Sequence, residues 1–351
     1  MEIKGNNYNY GIAFIKVFFS FCVVCCHYWE PDIAGSYFVQ MMYRMRAIAV
    51  PIFVIMSFFL TEKIFADKDT KKIRKRVWRL LFPHISWAVL YFLGYRIIDV
   101  LLKYFGFSIG LSVSYKFKDL LWQIFFGHSR YLCPPLWYLF ALIVINVLLW
   151  VIFRYCGRYS WKIIIMLGIA VLWIQYSGIN YKLFGGYEFE LRYPLGRLAE
   201  VFPVACIGLL LAHSKILEKI KNQRVYVVLI CIMSMLVIAY GGLFTSPAEG
   251  FGYGGTYAIA YSTTAFILFY EFPFEKMWIG IKKTLKFLSK YSFGVFCIHL
   301  GVGYCWNNVL CVYFGWERNT FIQCICIYII CIFVSWMISH IPVKYVKQLV
   351  E

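Results

Sequence analysis

The 351-residue sequence predicts an all-α polytopic membrane protein with about ten transmembrane helices and both termini on the cytoplasmic side. Three observations carry this. Hydrophobic residues make up 62% of the chain and charged residues only 15%, whereas about a quarter of a soluble domain is charged. Apolar runs of spanning length recur ten times. The basic residues fall on alternate connections between those runs.

The runs lie at about 11–29, 47–65, 80–102, 136–153, 161–176, 194–212, 225–243, 256–272, 291–312 and 321–339. Lipid offers no partners to backbone N–H and C=O groups, so such runs are read as helices. The longest hydrophilic connections are 103–135 and 177–193. No repeat or low-complexity tract divides the chain, and 1–351 is read as one integral-membrane domain. No cleavable leader is expected, because the first run continues into Tyr28, Trp29 and Glu30 without a small-residue cleavage site.

With the amino terminus inside, 23 Lys and Arg residues fall on cytoplasmic segments and nine on outer ones. The inner group includes eight between Lys63 and Arg79 and five between Lys276 and Lys290. A misdrawn span would scramble that alternation. The same placement, between apolar runs, assigns the net charge of +18 to topology and argues against nucleic-acid binding. Most of the 13 cysteines sit inside apolar runs. The C-x-x-C at Cys22 and Cys25 lacks the polar surroundings of a redox or metal site, and no metal is expected.

The first run, "FIKVFFSFCVVCCHYW", carries Lys16 and His27, eleven residues apart. On a helix that spacing puts both on one face, about 16 Å apart. Lys16 can snorkel to the headgroups, and His27 can join an interfacial aromatic belt. Alternatively both face a polar interior, where histidine is the usual proton-transfer residue. The second run contains "AVPIFVIMSFFLTEK", with Ser57 as a small packing residue or a hydrogen-bond donor. Then comes "IRKRVWRLLFP", in which Arg76 and Arg79 share a helix face. These two either serve topology and anionic lipid or hold phosphate. Trp137 follows in "PPLWYLFAL", where packing and ring stacking on a sugar are both open. Arg197, Glu200 and Gly208 lie in "GRLAEVFPVACIGLLLA". Ser292, Gly294 and His299 lie in "LSKYSFGVFCIHL", His299 as an interhelical hydrogen-bonding group or a site-lining one. Acids near membrane depth are Asp99, Glu200 and Glu271. The outer segment 176–197, with Glu188, Glu190 and Arg192 among aromatics, suits a carbohydrate or an interface equally.

In this order the six elements resemble the signature of acyltransferase family 3, membrane enzymes that O-acylate surface polysaccharides and other envelope glycans. Two positions depart from the family pattern: Lys16 stands where it has arginine, and Phe58 where it has glycine. The resemblance implies an acyl-CoA donor, acetyl by default, used as substrate rather than as a resident cofactor. It implies a glycan acceptor and a place in the bacterial cytoplasmic membrane, with membrane lipid as a further partner. It implies His27 as general base and Lys16, Arg76 and Arg79 as donor-binding residues. Ser57, Trp137, Arg197 and His299 would line the site. Glu200 is read either as the acid that orients His27 or as the partner of Arg197, three residues away. The rival class is a transporter or flippase of a glycan or its lipid-linked precursor, which would place a substrate site at the midplane between bundles.

Overall fold

The computed structural model describes residues 8–30, 48–104, 116–127, 132–177, 192–243, 255–343 and 345–351. All ten apolar runs are helical there: α1 Tyr10–Tyr28, α2 Ala49–Phe59, α3 Thr70–Tyr104, α4 Trp137–Tyr155, α5 Ser160–Tyr176, α6 Arg192–His213, α7 Arg224–Leu243, α8 Thr256–Glu271, α9 Ile279–Cys305 and α10 Phe321–Ser339. Most of the outer segment 176–197, including Glu188 and Glu190, lies outside the described residues, as do Arg44, Arg46, Arg130, Lys182 and Lys344.

Local chemistry sets several ends. The Asn9 side chain accepts from the Ile12 N–H at 2.9 Å and starts α1. Thr320 Oγ1 accepts from the Gln323 N–H at 3.1 Å and starts α10. Pro83 lies inside α3, where its missing N–H leaves the Arg79 carbonyl without a helical donor.

Seven helices, α1, α3, α4, α5, α6, α9 and α10, are long and apolar enough to cross a membrane. The ten expected runs are all present as helices, and they differ in length. The run 47–65 is not one helix, because α2 stops at Phe59. Thr61 Oγ1 turns back to the Ser57 carbonyl at 2.8 Å, and buried Glu62 meets His213 Nδ1 at 3.2 Å. The 11 residues of α2 reach about 16 Å, half of the hydrocarbon thickness of about 30 Å. By contrast α7 has 20 residues, while α8 has 16. In the other direction, α3 and α9 begin well before the apolar runs at 80 and 291, carrying their basic turns as helix.

Among the described residues, contacts gather the starts of α1, α3, α5, α7 and α9 with the ends of α2, α4, α6, α8 and α10. Tyr8 OH meets Ser289 Oγ at 2.7 Å, Arg76 reaches Ser57, and Arg224 pairs with Glu271. Ser160 donates to the Ile152 carbonyl, the Trp161 and His213 rings stack, and Ser339 donates to Tyr291 OH. This is the end that carries most Lys and Arg, so the alternation read from charge is also the alternation of helix direction.

α1 and α9 run parallel and pack along their length. The Tyr28 hydroxyl donates toward the His299 and Leu300 carbonyls at 3.4 Å each. Its ring occupies the space a side chain at Gly303 would need. α3 flanks α9 on another side, with Tyr91 OH donating to the Cys297 carbonyl at 2.7 Å and accepting from the Gly301 N–H at 3.1 Å. α6 lies against α2 closely enough that a Cβ at Gly208 would strike the Ile55 backbone at 2.5 Å. Helices in lipid associate through such close packing rather than through hydrophobic burial. The segment 345–351 caps the α3–α9 seam: Trp87 Nε1 donates to the Leu349 carbonyl at 3.0 Å, and the Gly294 N–H donates to the Val350 carbonyl at 3.1 Å.

Candidate active site

The last turn of α1 presents Val23, Cys26 and His27 to a cavity of about 160 Å³, far from the basic end. Residues at i, i+3 and i+4 share one helix face, which is why one turn supplies all three. Ala49 and Val50 come from the first turn of α2, and Phe296 from α9. Pro134 and Pro135 open a short 3₁₀ turn whose preset φ values lead straight into α4. That turn brings Trp137 and Tyr138 to the same cavity. Arg197 of α6 completes the wall. Its guanidinium carbon lies 5.4 Å from the Trp137 ring centre, and its Nη1 pairs with Glu200 Oε2 at 2.7 Å. A cation held over an indole face and by a carboxylate has a fixed direction.

The His27 ring faces a second imidazole. Its centroid is 5.2 Å from that of His299, with the planes tilted by 42°. His299 is fully buried, and its Nδ1 lies 3.0 Å from the Val295 carbonyl. A carbonyl only accepts, so Nδ1 carries the hydrogen and Nε2 is left as a bare lone pair. Nε2 has no hydrogen-bond partner among the described residues. Of the two readings of Glu200, the geometry shows the pair with Arg197.

Arg76 and Ser57 form a separate cluster toward the basic end. Arg76 Nε donates to Asn146 Oδ1 at 2.7 Å, and Nη2 donates to Ser57 Oγ at 2.7 Å and to the Ser57 carbonyl at 3.3 Å. Asn146 Nδ2 in turn donates to the Leu142 carbonyl at 2.7 Å. The Ser57 hydroxyl is therefore an acceptor for Arg76 and does not line the His27 cavity. Asn146 and Tyr138 were not anticipated from the sequence. An asparagine inside "WYLFALIVINVLLWVIFRY" is the signal that marks the first, since a polar side chain at membrane depth needs a partner. Arg79 is exposed on α3 one turn further on. Lys16 is half-buried on the unbroken helix α1, on the face that carries His27, and has no hydrogen bond or ion pair among the described residues. Phe58, standing at the departure from the family pattern, is fully buried and stacks on Phe65, which stacks on Phe153.

Two larger cavities lie elsewhere. One of about 540 Å³ is an apolar groove between α3 and α9 around Tyr91, Gly94 and Gly301. The other, about 560 Å³, opens at the basic end beside Tyr8, Tyr10, Lys215, Arg224 and Lys282. The smaller cavity is where residues singled out from three separate motifs converge: His27, Trp137 and Arg197. Among the described residues, no group of three His, Cys, Asp or Glu is placed to hold a metal ion, and the cysteines are free thiols.

A family model described as an acyltransferase domain matches residues 9–340 of the chain. No curated protein and no solved structure matches it.

Proposed function

The chain belongs to the acyltransferase 3 family, and from that premise we propose that it moves a short acyl group, acetyl by default, from acyl-CoA to a hydroxyl of a surface polysaccharide or other envelope glycan. It is a membrane-bound acyltransferase; the donor, the acceptor and the residues below are the proposal. The single observation that carries it is the convergence of His27, Trp137 and Arg197 on one cavity at the end of α1.

His27 takes the proton of the acceptor hydroxyl as general base. The oxygen attacks the thioester carbonyl and forms a tetrahedral intermediate. Its collapse breaks the C–S bond, and the leaving thiolate recovers the proton from the His27 imidazolium. An ester and free coenzyme A result. Arg197, aimed by Glu200 and stacked on Trp137, supplies positive charge to the cavity wall where an oxyanion or a sugar hydroxyl would sit. A volume of about 160 Å³ is well below the roughly 300–1,000 Å³ of whole-ligand pockets. It suits the reacting ends of two substrates and a two-carbon acyl group better than a long one.

The donor enters from the basic end, which this reading assigns to the cytoplasm of a bacterial cell. Arg79 and Lys16 offer cations to its phosphates. Arg76, one turn before Arg79 on α3, has Nε and Nη2 already bonded to protein, so its role is to fix the α2–α3–α4 junction and present its remaining N–H groups. The test is transfer of label from radiolabelled acetyl-CoA to envelope glycan in membranes carrying the wild type or His27→Ala. Transfer that disappears with His27→Ala at equal protein level supports the reading. Transfer that is unchanged returns His27 to an interfacial role, and no transfer by the wild type from acetyl- or succinyl-CoA removes the donor assignment.

A further inference from the structure

We infer that His299 is a positioning residue for His27: its Nε2 accepts an N–H of the His27 imidazole and so turns the other ring nitrogen of His27 toward the acceptor hydroxyl. The inference rests on the reading of His27 as general base.

The geometry supplies the parts. The two rings lie 5.2 Å apart across the α1–α9 seam. The bond from His299 Nδ1 to the Val295 carbonyl fixes the tautomer, so Nε2 offers a lone pair and nothing else. That lone pair is buried and receives no hydrogen bond from any described residue. A buried acceptor without a donor works against folding, and a leucine would fill the space without that penalty. The residue therefore makes sense as a device that is satisfied during turnover. A small rotation of His27, or one bridging water, brings an N–H to it.

Among the described residues, the neighbouring polar side chains have other contacts. Glu200 of α6 is engaged with Arg197. Tyr28 of α1 donates to the carbonyls of His299 and Leu300. Tyr91 of α3 donates to the Cys297 carbonyl. Tyr138 of α4 packs its ring on Phe296.

The proton count closes without His299 changing charge. The acceptor O–H bond breaks and its proton goes to the outward nitrogen of His27. The imidazolium keeps its other N–H on His299 Nε2, where the added charge strengthens that hydrogen bond. When the C–S bond breaks, the thiolate takes the proton from the outward nitrogen. Such an orienting third group is what a general-base histidine needs.

The test measures acyl transfer from radiolabelled acetyl-CoA in membranes carrying the wild type, His27→Ala, His299→Leu, His299→Asn and His299→Gln. Glutamine puts a carbonyl oxygen near the place of Nε2, an acceptor that cannot take a proton. Asparagine keeps the donor to Val295 and lacks that acceptor. The expected result is a fall in kcat of about 100-fold for leucine and asparagine. The KM for acetyl-CoA stays within about threefold, and glutamine recovers to within about tenfold of the wild type. A leucine or asparagine variant within threefold of the wild type overturns the inference. A glutamine variant as inactive as leucine also overturns it, because the basicity of His299 would then be needed. If leucine does not fold, the asparagine–glutamine comparison decides alone. An unchanged rate in His27→Ala would instead overturn the general-base reading, so the two failures are distinct.

Discussion

Arg76 on α3 donates its Nε hydrogen to Oδ1 of Asn146 on α4, 2.7 Å away and seventy positions along the chain. The same guanidinium holds Ser57 at the end of α2. One side chain thus joins three helices below the His27 cavity, and its removal strands two polar groups at once.

Arg76→Ala is expected to cost about 1–3 kcal/mol, the penalty for leaving buried hydrogen-bonding groups unpaired. Arg76→Lys should recover little, because an ammonium cannot reproduce the planar fork that serves both partners. Thermal unfolding of the purified protein in detergent measures this. An Arg76→Ala midpoint equal to the wild type, with transfer lost, would assign Arg76 to the donor alone.

Lys16→Arg restores the residue type of the family pattern and should lower the KM for acyl-CoA severalfold through bidentate phosphate contact. Lys16→Met should raise it by about tenfold with kcat little changed. Steady-state kinetics in proteoliposomes separates these, and equal KM values in all three proteins would return Lys16 to snorkelling.

Glu200→Gln should leave stability within about 1 kcal/mol, since the pair with Arg197 is partly solvated. It should nonetheless weaken acceptor use, because Arg197 loses the group that aims it over Trp137. A titration of acceptor glycan at saturating donor would show the KM for acceptor rising. If kcat alone falls, the proposed division of labour between Glu200 and His27 is wrong.

Gly208→Val should destabilise the protein by about 1–3 kcal/mol or prevent assembly, as overpacking does. Its Cβ would meet the Ile55 backbone, which cannot swing away as a side chain can. Gly94→Ala, with open space around it, is the matched control. Equal yields of folded protein from both would mean that the α2–α6 contact is not so close.

The Asp69 carboxyl is held below its usual range by the hydrogen bond from the Lys72 N–H and by the Lys72 ammonium. A lowered folded-state value means the carboxylate supports the first turn of α3 at neutral pH. That support disappears as pH falls through the lowered value. Protection of the amides of 70–73, measured against the intrinsic exchange rate at each pH, should therefore fall at low pH in the wild type and already be low at neutral pH in Asp69→Ala. Slow exchange in the variant would remove the capping role.

The sequence carried the helices whose ends are set locally. α1 was expected at 11–29 and runs Tyr10–Tyr28, because Asn9 and the apolar run specify it without outside help. α2 ends inside its run, where Thr61 turns back to Ser57 and the next residue has a distant partner. Glu62 is held by His213, 151 positions away. The candidate site divides the same way. His27, Trp137 and Arg197 were singled out one by one, yet their meeting depends on how α1, α4 and α6 pack. His299 was expected to line the site, but its fixed tautomer and its position opposite His27 depend on the α1–α9 seam. Lys16 and His27 share a helix, so their common face followed from arithmetic. Arg76 and Asn146 do not, and no spacing rule connects them.

The seam between α1 and α9 also sets a rule of phase. Tyr8 locks to Ser289 at one end, and Tyr28 locks to the backbone beside Gly303 at the other. Adding or deleting one residue between Ser289 and His299 would turn the second imidazole by about 100° and slide it about 1.5 Å. Such a change would turn it away from His27, and would carry Gly301 and Gly303 out of register with Tyr91 and Tyr28 as well. The number of residues between those fasteners is therefore as constrained as the identity of His299 within them.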